Sequence, residues 1–421
     1  MKSYRNKFYY ILFVPLFALI IFLESAAGQG WKPAEGVTVE GTYIGDFFSN
    51  FSGGDSRGTV YLHNIDLTAT FDVEEMGGWQ GGTLFLYGLN LYGGNPAGIV
   101  GDAQGVNNIE AGDAFRLYEA WYEQILFEGR LSILGGLYGL DSEFDVINSA
   151  SLFINSSHGT GPDLSQSGRN GPSIFPFTAP ALRLRVSPIV PLAIQVAIVD
   201  GVPAQKGLDR IALDPDDGFL IAAETSYLFP GTYETDTSGL RRRRVSRTGT
   251  VPYSARIAIG AWAYSKSYNS LAAMDLVDLP EMSGKSRGIY ALAEGQVYRE
   301  NADPSQGLSL YARVGFASQH VNRFSTYTGA GGVYTGLFSG RSSDQLGLGI
   351  AAAHNGDPYQ EAIRELGDNT TSSEVNIELT YLAQLAPWLT LQGDLQHVIN
   401  PNTDPTFTNA TAATVRLVIT P

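Results

Sequence analysis

The sequence predicts an all-β fold: a transmembrane antiparallel β-barrel of about 16 strands, with its third extracellular loop folded inward. Three observations predict it. Charged residues are only 16% of the 421, against roughly 25% in ordinary soluble domains. Hydrophobicity alternates with period two along many segments of about ten residues, which gives each segment one apolar and one polar face. The chain also opens with an export signal.

Composition narrows the function. With 27 Lys+Arg against 42 Asp+Glu, the net charge is −15. A nucleic-acid partner is therefore not expected, since a phosphate backbone needs a concentrated basic face. Zero Cys excludes disulfides, thiolate metal sites, cysteine nucleophiles and the lipidated Cys of a lipoprotein. Arg outnumbers Lys 21 to 6, and 49 Gly, 22 Tyr and 21 Phe complete a composition unlike that of a water-bathed surface. The five histidines (His63, His158, His320, His354, His397) show neither HExxH nor metal-ligand spacing. No cofactor and no metal are expected. Asp209, Asp214, Asp216 and Asp217 miss the EF-hand pattern and read as solvated acids. His158 beside Ser156 and Ser157 does not make a nucleophile–base pair, because neighbours in a loop do not align one; an enzyme is not expected.

Lys2, Arg5 and Lys7 precede an apolar run from Phe8 to Leu23, followed by small residues, Ser25-Ala26-Ala27-Gly28. This is a signal peptide over 1–28 rather than a membrane anchor, which needs about 20 apolar residues. Its removal takes away three basic residues and Glu24, so the net charge goes from −15 to −17. Residues 29–421 form the expected barrel domain.

The strands follow in order. After 37–47, segment 59–73 sets Asn64, Asp66, Thr68, Thr70 and Asp72 against Ile65, Leu67, Ala69 and Phe71. Alternation slips in 81–92, 114–126 and 129–139. Segment 180–188 alternates Arg183 and Arg185 with Leu182, Leu184 and Val186, and 191–200 and 217–229 come next. In 253–268, Ser254, Arg256, Trp262, Tyr264 and Lys266 oppose Ala255, Ile257, Ile259, Ala261 and Ala263. Beyond 287–299, segment 307–321 sets Ser309, Tyr311, Arg313 and Gln319 against Leu308, Leu310, Ala312, Val314 and Phe316. The last five are 330–338, 343–355, 372–385, 388–398 and 409–420. In the final pairs Glu378, Gln392, Asp394 and Gln396 sit opposite Leu379, Leu389, Leu391 and Leu395. An aliphatic face against an amide and carboxylate face fits a barrel in lipid around a wet lumen.

An even strand count puts both ends of the barrel domain on the periplasmic side. Short connections at 127–128, 189–190, 300–306, 339–342 and 386–387 are then periplasmic. Long ones at 93–113, 140–179, 201–216, 269–286 and 356–371 are extracellular. The 230–252 connection, with Arg241–Arg244, is long yet periplasmic by this parity. Were it extracellular, its arginines would suit lipopolysaccharide phosphates; a solvated loop is the simpler expectation. The 40-residue connection 140–179 is too long to float free. Folding into the lumen would bury Phe144, Phe153, Ile154, Phe175 and Phe177 and narrow the channel.

Several strings resemble the carbohydrate-selective porins, the OprB-type family. They are Phe115-Arg-Leu-Tyr-Glu-Ala-Trp-Tyr-Glu-Gln124, Leu152-Phe-Ile-Asn-Ser-Ser-His-Gly159, the stretch Phe175 to Val186, Gln345-Leu-Gly-Leu-Gly-Ile350, and the run from Ala386 to Pro401. The resemblance spans the whole mature chain in order. It implies a sixteen-stranded porin of the bacterial outer membrane that lets small sugars diffuse inward past a constriction built partly by the third loop. The chain differs from the family at His397, where an aromatic is usual, and in ending Val418-Ile-Thr-Pro421.

A pore for neutral, hydroxyl-fringed solutes needs aromatic rings for the C–H faces and charged groups of both signs for the hydroxyls. Candidate pore-lining residues are Arg116, Glu119 and Trp121 on one strand, although alternation there does not settle which face each occupies. Arg183 and Arg185 stand on another. Asp141 and Glu143 lie at the root of the inward loop, and Asp163 and Arg169 further along it. Any one of them could instead keep the lumen polar or tie the loop to the wall. Expected partners are small sugars as solutes, outer-membrane lipid and lipopolysaccharide, with a homo-oligomer left open. The alternative function is a general or cation-preferring porin, favoured by the −17 charge.

Overall fold

The structure, a computed structural model, describes residues 30–203, 215–230, 253–269, 271 and 283–420. A short β1 (Trp31–Ala34) precedes sixteen barrel strands. These are β2 (Val37–Gly54), β3 (Gly58–Asp72), β4 (Gly82–Gly93), β5 (Ala114–Leu126), β6 (Leu131–Tyr138), β7 (Ala179–Ile189), β8 (Leu192–Asp200) and β9 (Phe219–Pro230). The second half comprises β10 (Tyr253–Asn269), β11 (Ser283–Arg299), β12 (Gly307–Ala317), β13 (Phe324–Thr335), β14 (Gln345–Asn355), β15 (Ser373–Ala386), β16 (Leu389–Ile399) and β17 (Thr408–Ile419). Each strand pairs antiparallel with the next, and β17 returns to β2 with Leu417 opposite Gly45 and Ile419 opposite Tyr43. The sheet is closed. Among the described residues, the sixteen barrel strands leave no edge to aggregate or to expose unpaired backbone to lipid.

All sixteen expected segments are strands, with shifted ends. β2 runs seven residues further than expected because its alternation continues: Phe48 and Asn50 are buried inward while Phe47 and Phe51 are exposed. β13 begins six residues earlier than expected, where Phe324 pairs with Asn355, and stops before Gly336, whose φ of 78° breaks the ladder. β1 was not anticipated; it folds back on the start of β2, with Ala34 opposite Val37.

The slipped alternation in 114–126 has a physical cause. Tyr87 pairs with Glu119 but the next residue, Gly88, pairs with Leu117, so Tyr118 is an extra residue in β5. A β-bulge of this kind re-aims side chains. Arg116, Glu119, Trp121 and Glu123 oppose the inward residues Leu89, Tyr87, Phe85 and Thr83. All four therefore point to the lumen.

Outward positions are aliphatic: Leu182, Leu184, Ile194, Ile259, Ile289, Leu348, Leu395 and Val415 are all exposed. Inward positions are polar yet buried, among them Arg183, Glu224, Arg313, Glu378, Gln392 and Arg416. What buries them is chain inside the barrel. Segment 139–178, which carries α2 (Pro162–Ser165) and three 3-10 turns, fills much of the lumen. Segment 94–113, with α1 (Pro96–Val100), lies against the inner face of β2, β3, β16 and β17. Close approach demands glycine on the wall. A Cβ at Gly349 would stand 2.9 Å from Phe153 and His158, and one at Gly347 2.8 Å from Leu152. The connections 127–130, 190–191 and 387–388 at the other end are tight turns, the pattern of a periplasmic rim. Residues 1–28, Asp209, Asp214 and Arg241–Arg244 lie outside the described residues.

Candidate solute channel and its constriction

The root of the inward loop meets β5, β6 and β7. Glu119 is buried and accepts the Gly139 amide at 2.9 Å, which fixes where the loop departs from the wall. Asp141 accepts the Tyr118 hydroxyl at 3.1 Å and the Phe175 amide at 3.2 Å, so it ties the two ends of the loop together. Trp121 is buried with its ring stacked on Phe85 at 4.8 Å. The Arg116 guanidinium lies 4.3 Å over the ring of Phe177, a cation–π contact between wall and loop.

Arg183 is almost wholly enclosed. Its Nη2 donates to Glu123 at 2.7 Å and its Nε to Glu143 at 2.9 Å, while Nη1 donates to the Ser132 hydroxyl. Two strands and the loop are thus joined by one fork. Arg185, two residues on, is half-buried on the same inward face, opposite Ser132 and Gln195. Its Nε is buried and makes no hydrogen bond among the described residues.

Further along, the loop crosses to the far wall. Arg313 on β12 holds Asp145 through Nε at 2.8 Å and Nη2 at 2.7 Å, and Asp163 through Nη1 at 2.7 Å. All three side chains are buried. Burial pushes the Asp145 carboxyl up to about 6, against the pull of Arg313. Arg256 on β10 bonds Glu224 at 2.7 Å and the Val146 carbonyl at 2.6 Å. Glu294 accepts the Ser149 amide at 2.8 Å. Glu378 accepts the amides of Ile154 and Asn155 at 2.5 and 3.0 Å, and Gln392 donates to the Leu152 carbonyl at 2.7 Å. His158 Nδ1 shares a 2.8 Å bond with Tyr311, and the Ser157 hydroxyl donates to Gln104. Those side chains seat the loop. Arg169 stands on it as an exposed residue.

The structure therefore gathers Arg183 and Glu143 into one cluster and puts Asp163 in another on the opposite wall. Glu119, Asp141 and Trp121 serve the loop root, and Arg116, Arg185 and Arg169 stay more open. Sequence alternation had marked Arg256, Arg313, Glu378 and Gln392 as inward, but it carried no sign of which loop residue each would hold. Chemically, the lumen is a channel whose strongest charges are paired across it. Such an arrangement admits polar neutral solutes beside a fixed field.

Known proteins agree with this architecture. Residues 56–420 match the model of the carbohydrate-selective porin OprB family. Porin B of Pseudomonas aeruginosa is 26% identical over 415 residues, covering 89% of this chain and 85% of the relative. Among solved structures, Pseudomonas putida OprB at high pH superposes with a TM-score of 0.78 at 20% identity, covering 91% of this chain and 94% of that one. The outer-membrane channel DcaP of Acinetobacter baumannii reaches 0.56 at 10% identity, covering 93% and 99%. This chain belongs to the carbohydrate-selective porin family, whose members are channels, and works in the bacterial outer membrane as a porin for sugar diffusion.

Proposed function

We propose that the half-exposed groups, rather than the enclosed ones, touch the passing sugar. The observation that carries this reading is the contrast between two arginines on one strand: Arg183 is saturated by Glu123, Glu143 and Ser132, whereas Arg185 keeps a buried Nε without a bond. The half-exposed Arg185 side chain would turn that donor to a solute hydroxyl as a sugar enters. Arg116 with Phe177, and Arg169 on the loop, add guanidinium groups and a ring face of the kind a pyranose takes. Glu119, Trp121, Asp141, Glu143, Asp163 and Arg183 set the width of the slot.

Excess acid inside the barrel gives ion flow a cation preference alongside sugar diffusion. Replacing Arg185 by Ala removes a positive charge from this field. Cation conductance should rise and sugar block of the current should fall, with barrel stability unchanged. Planar-bilayer recordings with and without sugar, beside liposome swelling over a sugar series, measure all three. Unchanged ion preference and unchanged sugar block would place Arg185 outside the path.

The aliphatic outer wall suits outer-membrane lipid. A homo-oligomer would form on that wall, and cross-linking of the detergent-solubilised protein reports it. The signal peptide is tested by N-terminal sequencing of the exported chain, which should begin at Gln29 or Gly30.

A further inference from the structure

Charged side chains face the lumen along most of this wall, and β11 departs from that rule at its extracellular end. Lys285 and Arg287 flank the buried Ser286 and lie opposite Ser267 and Ala263 of β10, so both stand on the outer face, where both are exposed. Where the sixteen barrel strands pair in regular register, no other described outward position holds Lys or Arg. Arg287 lies just above the Gly288–Ala317 pair, which ends the β11–β12 ladder, and the next outward residues down the strand are Ile289, Ala291 and Ala293. It therefore marks the top of the apolar band. A cation facing lipid is expensive at the bilayer midplane and nearly free at the interface, so this is the height at which the wall can carry one.

Directly below lies a groove of about 320 Å³ on the same outer wall. Ala223 of β9, Ala261 of β10 and Ala291 of β11 give it a floor of small side chains, and Ile259, Ile289 and Phe316 stand around them. Ala261 is opposite both Ala223 and Ile289, and Ile289 is opposite Phe316, so the groove crosses four strands at one level. Ile289 is two residues from Arg287, roughly 7 Å along a strand. A convex wall touches a hydrocarbon chain on one side only, whereas a groove surrounds it with more contacts.

We infer that the outer face of β9–β12 binds one molecule of lipopolysaccharide, with a lipid A phosphate on Arg287 and Lys285 and an acyl chain in the groove beneath them. The occupant follows from the order of the two features: an anionic head at the extracellular rim and a hydrocarbon tail immediately below it belong to one lipid of that leaflet. The Arg287 guanidinium pairs with no carboxylate among the described residues, and its planar fork matches a phosphate bidentately. Lys285 is steadied at the rim by donating to the Ser265 carbonyl at 2.8 Å, which leaves ammonium donors for the same phosphate. A chain with an acidic excess would repel an anionic lipid elsewhere. The site lies outside the pore and is independent of which groups touch the sugar.

The test uses the folded, delipidated porin in detergent, with bisphosphorylated lipid A as the probe and native mass spectrometry as the readout. One lipid A should bind per chain. Replacing both cations, Lys285→Gln with Arg287→Gln, should raise its dissociation constant about tenfold or more, the effect of losing charge-assisted hydrogen bonds. Lipid A stripped of its phosphates should bind the parent as weakly. Ala261→Phe fills the groove, keeps both cations and should also weaken binding. Heat-modifiable mobility on gels reports folding of each variant, and sugar-dependent swelling should be unchanged because these side chains face away from the lumen. A second measurement needs no charge variant. The chain has no Cys, so an Ala261→Cys thiol can be labelled alone by a bilayer-restricted maleimide; added lipid A should slow its reaction several-fold while a Leu395→Cys thiol on β16 keeps its rate. Equal affinity in the double variant, equal slowing at positions 261 and 395, or phosphatidylglycerol binding as tightly as lipid A would each overturn the proposal.

Discussion

Arg313 shows how much one side chain carries inside this barrel. It is buried with two carboxylates from the loop, and its guanidinium also faces the rings of Tyr327 at 5.0 Å and Tyr290 at 5.5 Å. Removing one partner of a buried ionic cluster leaves the others uncompensated, at a cost of about 3–5 kcal/mol. Arg313→Met should therefore lower the thermal unfolding temperature and add current noise as Asp145 and Asp163 leave their seat. Arg313→Lys, without the fork, should recover only part of this. Stability and conductance equal to the parent in Arg313→Met would show that the two acids find other partners. The same logic separates Arg183→Ala, which should disturb the loop by stranding Glu123 and Glu143, from Arg185→Ala, which should not. At this scale the sequence was partly legible. Alternation identified Arg183 and Arg185 as inward, and the bulge at Tyr118 explains why it did not settle Arg116, Glu119 and Trp121. Nothing in local spacing could separate a saturated arginine from an open one, because the partners Glu123 and Glu143 come from other segments.

Among the elements, the third loop was legible from its length and its buried aromatics, while the second was not. Its apolar residues are few, and the wall that receives it is spread over β2, β3, β16 and β17, at opposite ends of the chain. The inward Ala410, Ala412 and Val418 of β17 were the available signal. The second loop also carries a titration. Burial pushes the Glu110 carboxyl from its ordinary 4.5 up to about 7, against the hydrogen bond from the Ala97 amide. Asp102 on the same loop is also held well above its ordinary range, by burial and by the nearby Glu374 and Glu110. A raised carboxyl favours the seated loop in its neutral form. That contribution is complete below pH 4.5 and is lost as pH rises through about 7. Maleimide labelling of an Ile154→Cys variant, corrected for reagent chemistry, should accelerate across this window, and Glu110→Gln should flatten the change. On the wall, Gly349→Val would put a side chain into Phe153 and His158. It should displace the third-loop tip while leaving the β13–β14 and β14–β15 ladders intact, read as raised conductance from a folded barrel.

For the molecule as a whole, the number and order of the barrel strands were readable, and so was facing outside the segments where alternation slips, because a period-two pattern is enforced twice, by lipid outside and by polar contacts inside. Strand ends were less readable, since ladder length depends on the partner strand, as β13 and β14 show. The outward set is testable directly. Cysteines at Leu389, Leu391, Leu395, Val415, Leu417 and Ile419 should react with a bilayer-restricted probe, whereas those at Gln392, Asp394 and Gln396 should be spared. Leu395→Arg should destabilise insertion by about 2–4 kcal/mol if that position lies near the bilayer midplane. The reverse labelling pattern would mean that the register of the last two strands is wrong.

The seam between β17 and β2 has a consequence for the order of biogenesis. Arg416 and Asp46, 370 residues apart, bond at 2.7 and 2.8 Å, and the second loop sits on this junction through Asn107 and Asn108. Until the last strand is made and docked, Arg416 cannot reach Asp46 or Asn108, so the second loop lacks part of its seat and the third loop lacks part of its clasp. The filter is thus finished last, after the wall that surrounds it. A chain stalled just before ring closure would be a leak for any small solute, and shutting the seam is the step that turns a hole in the outer membrane into a sieve.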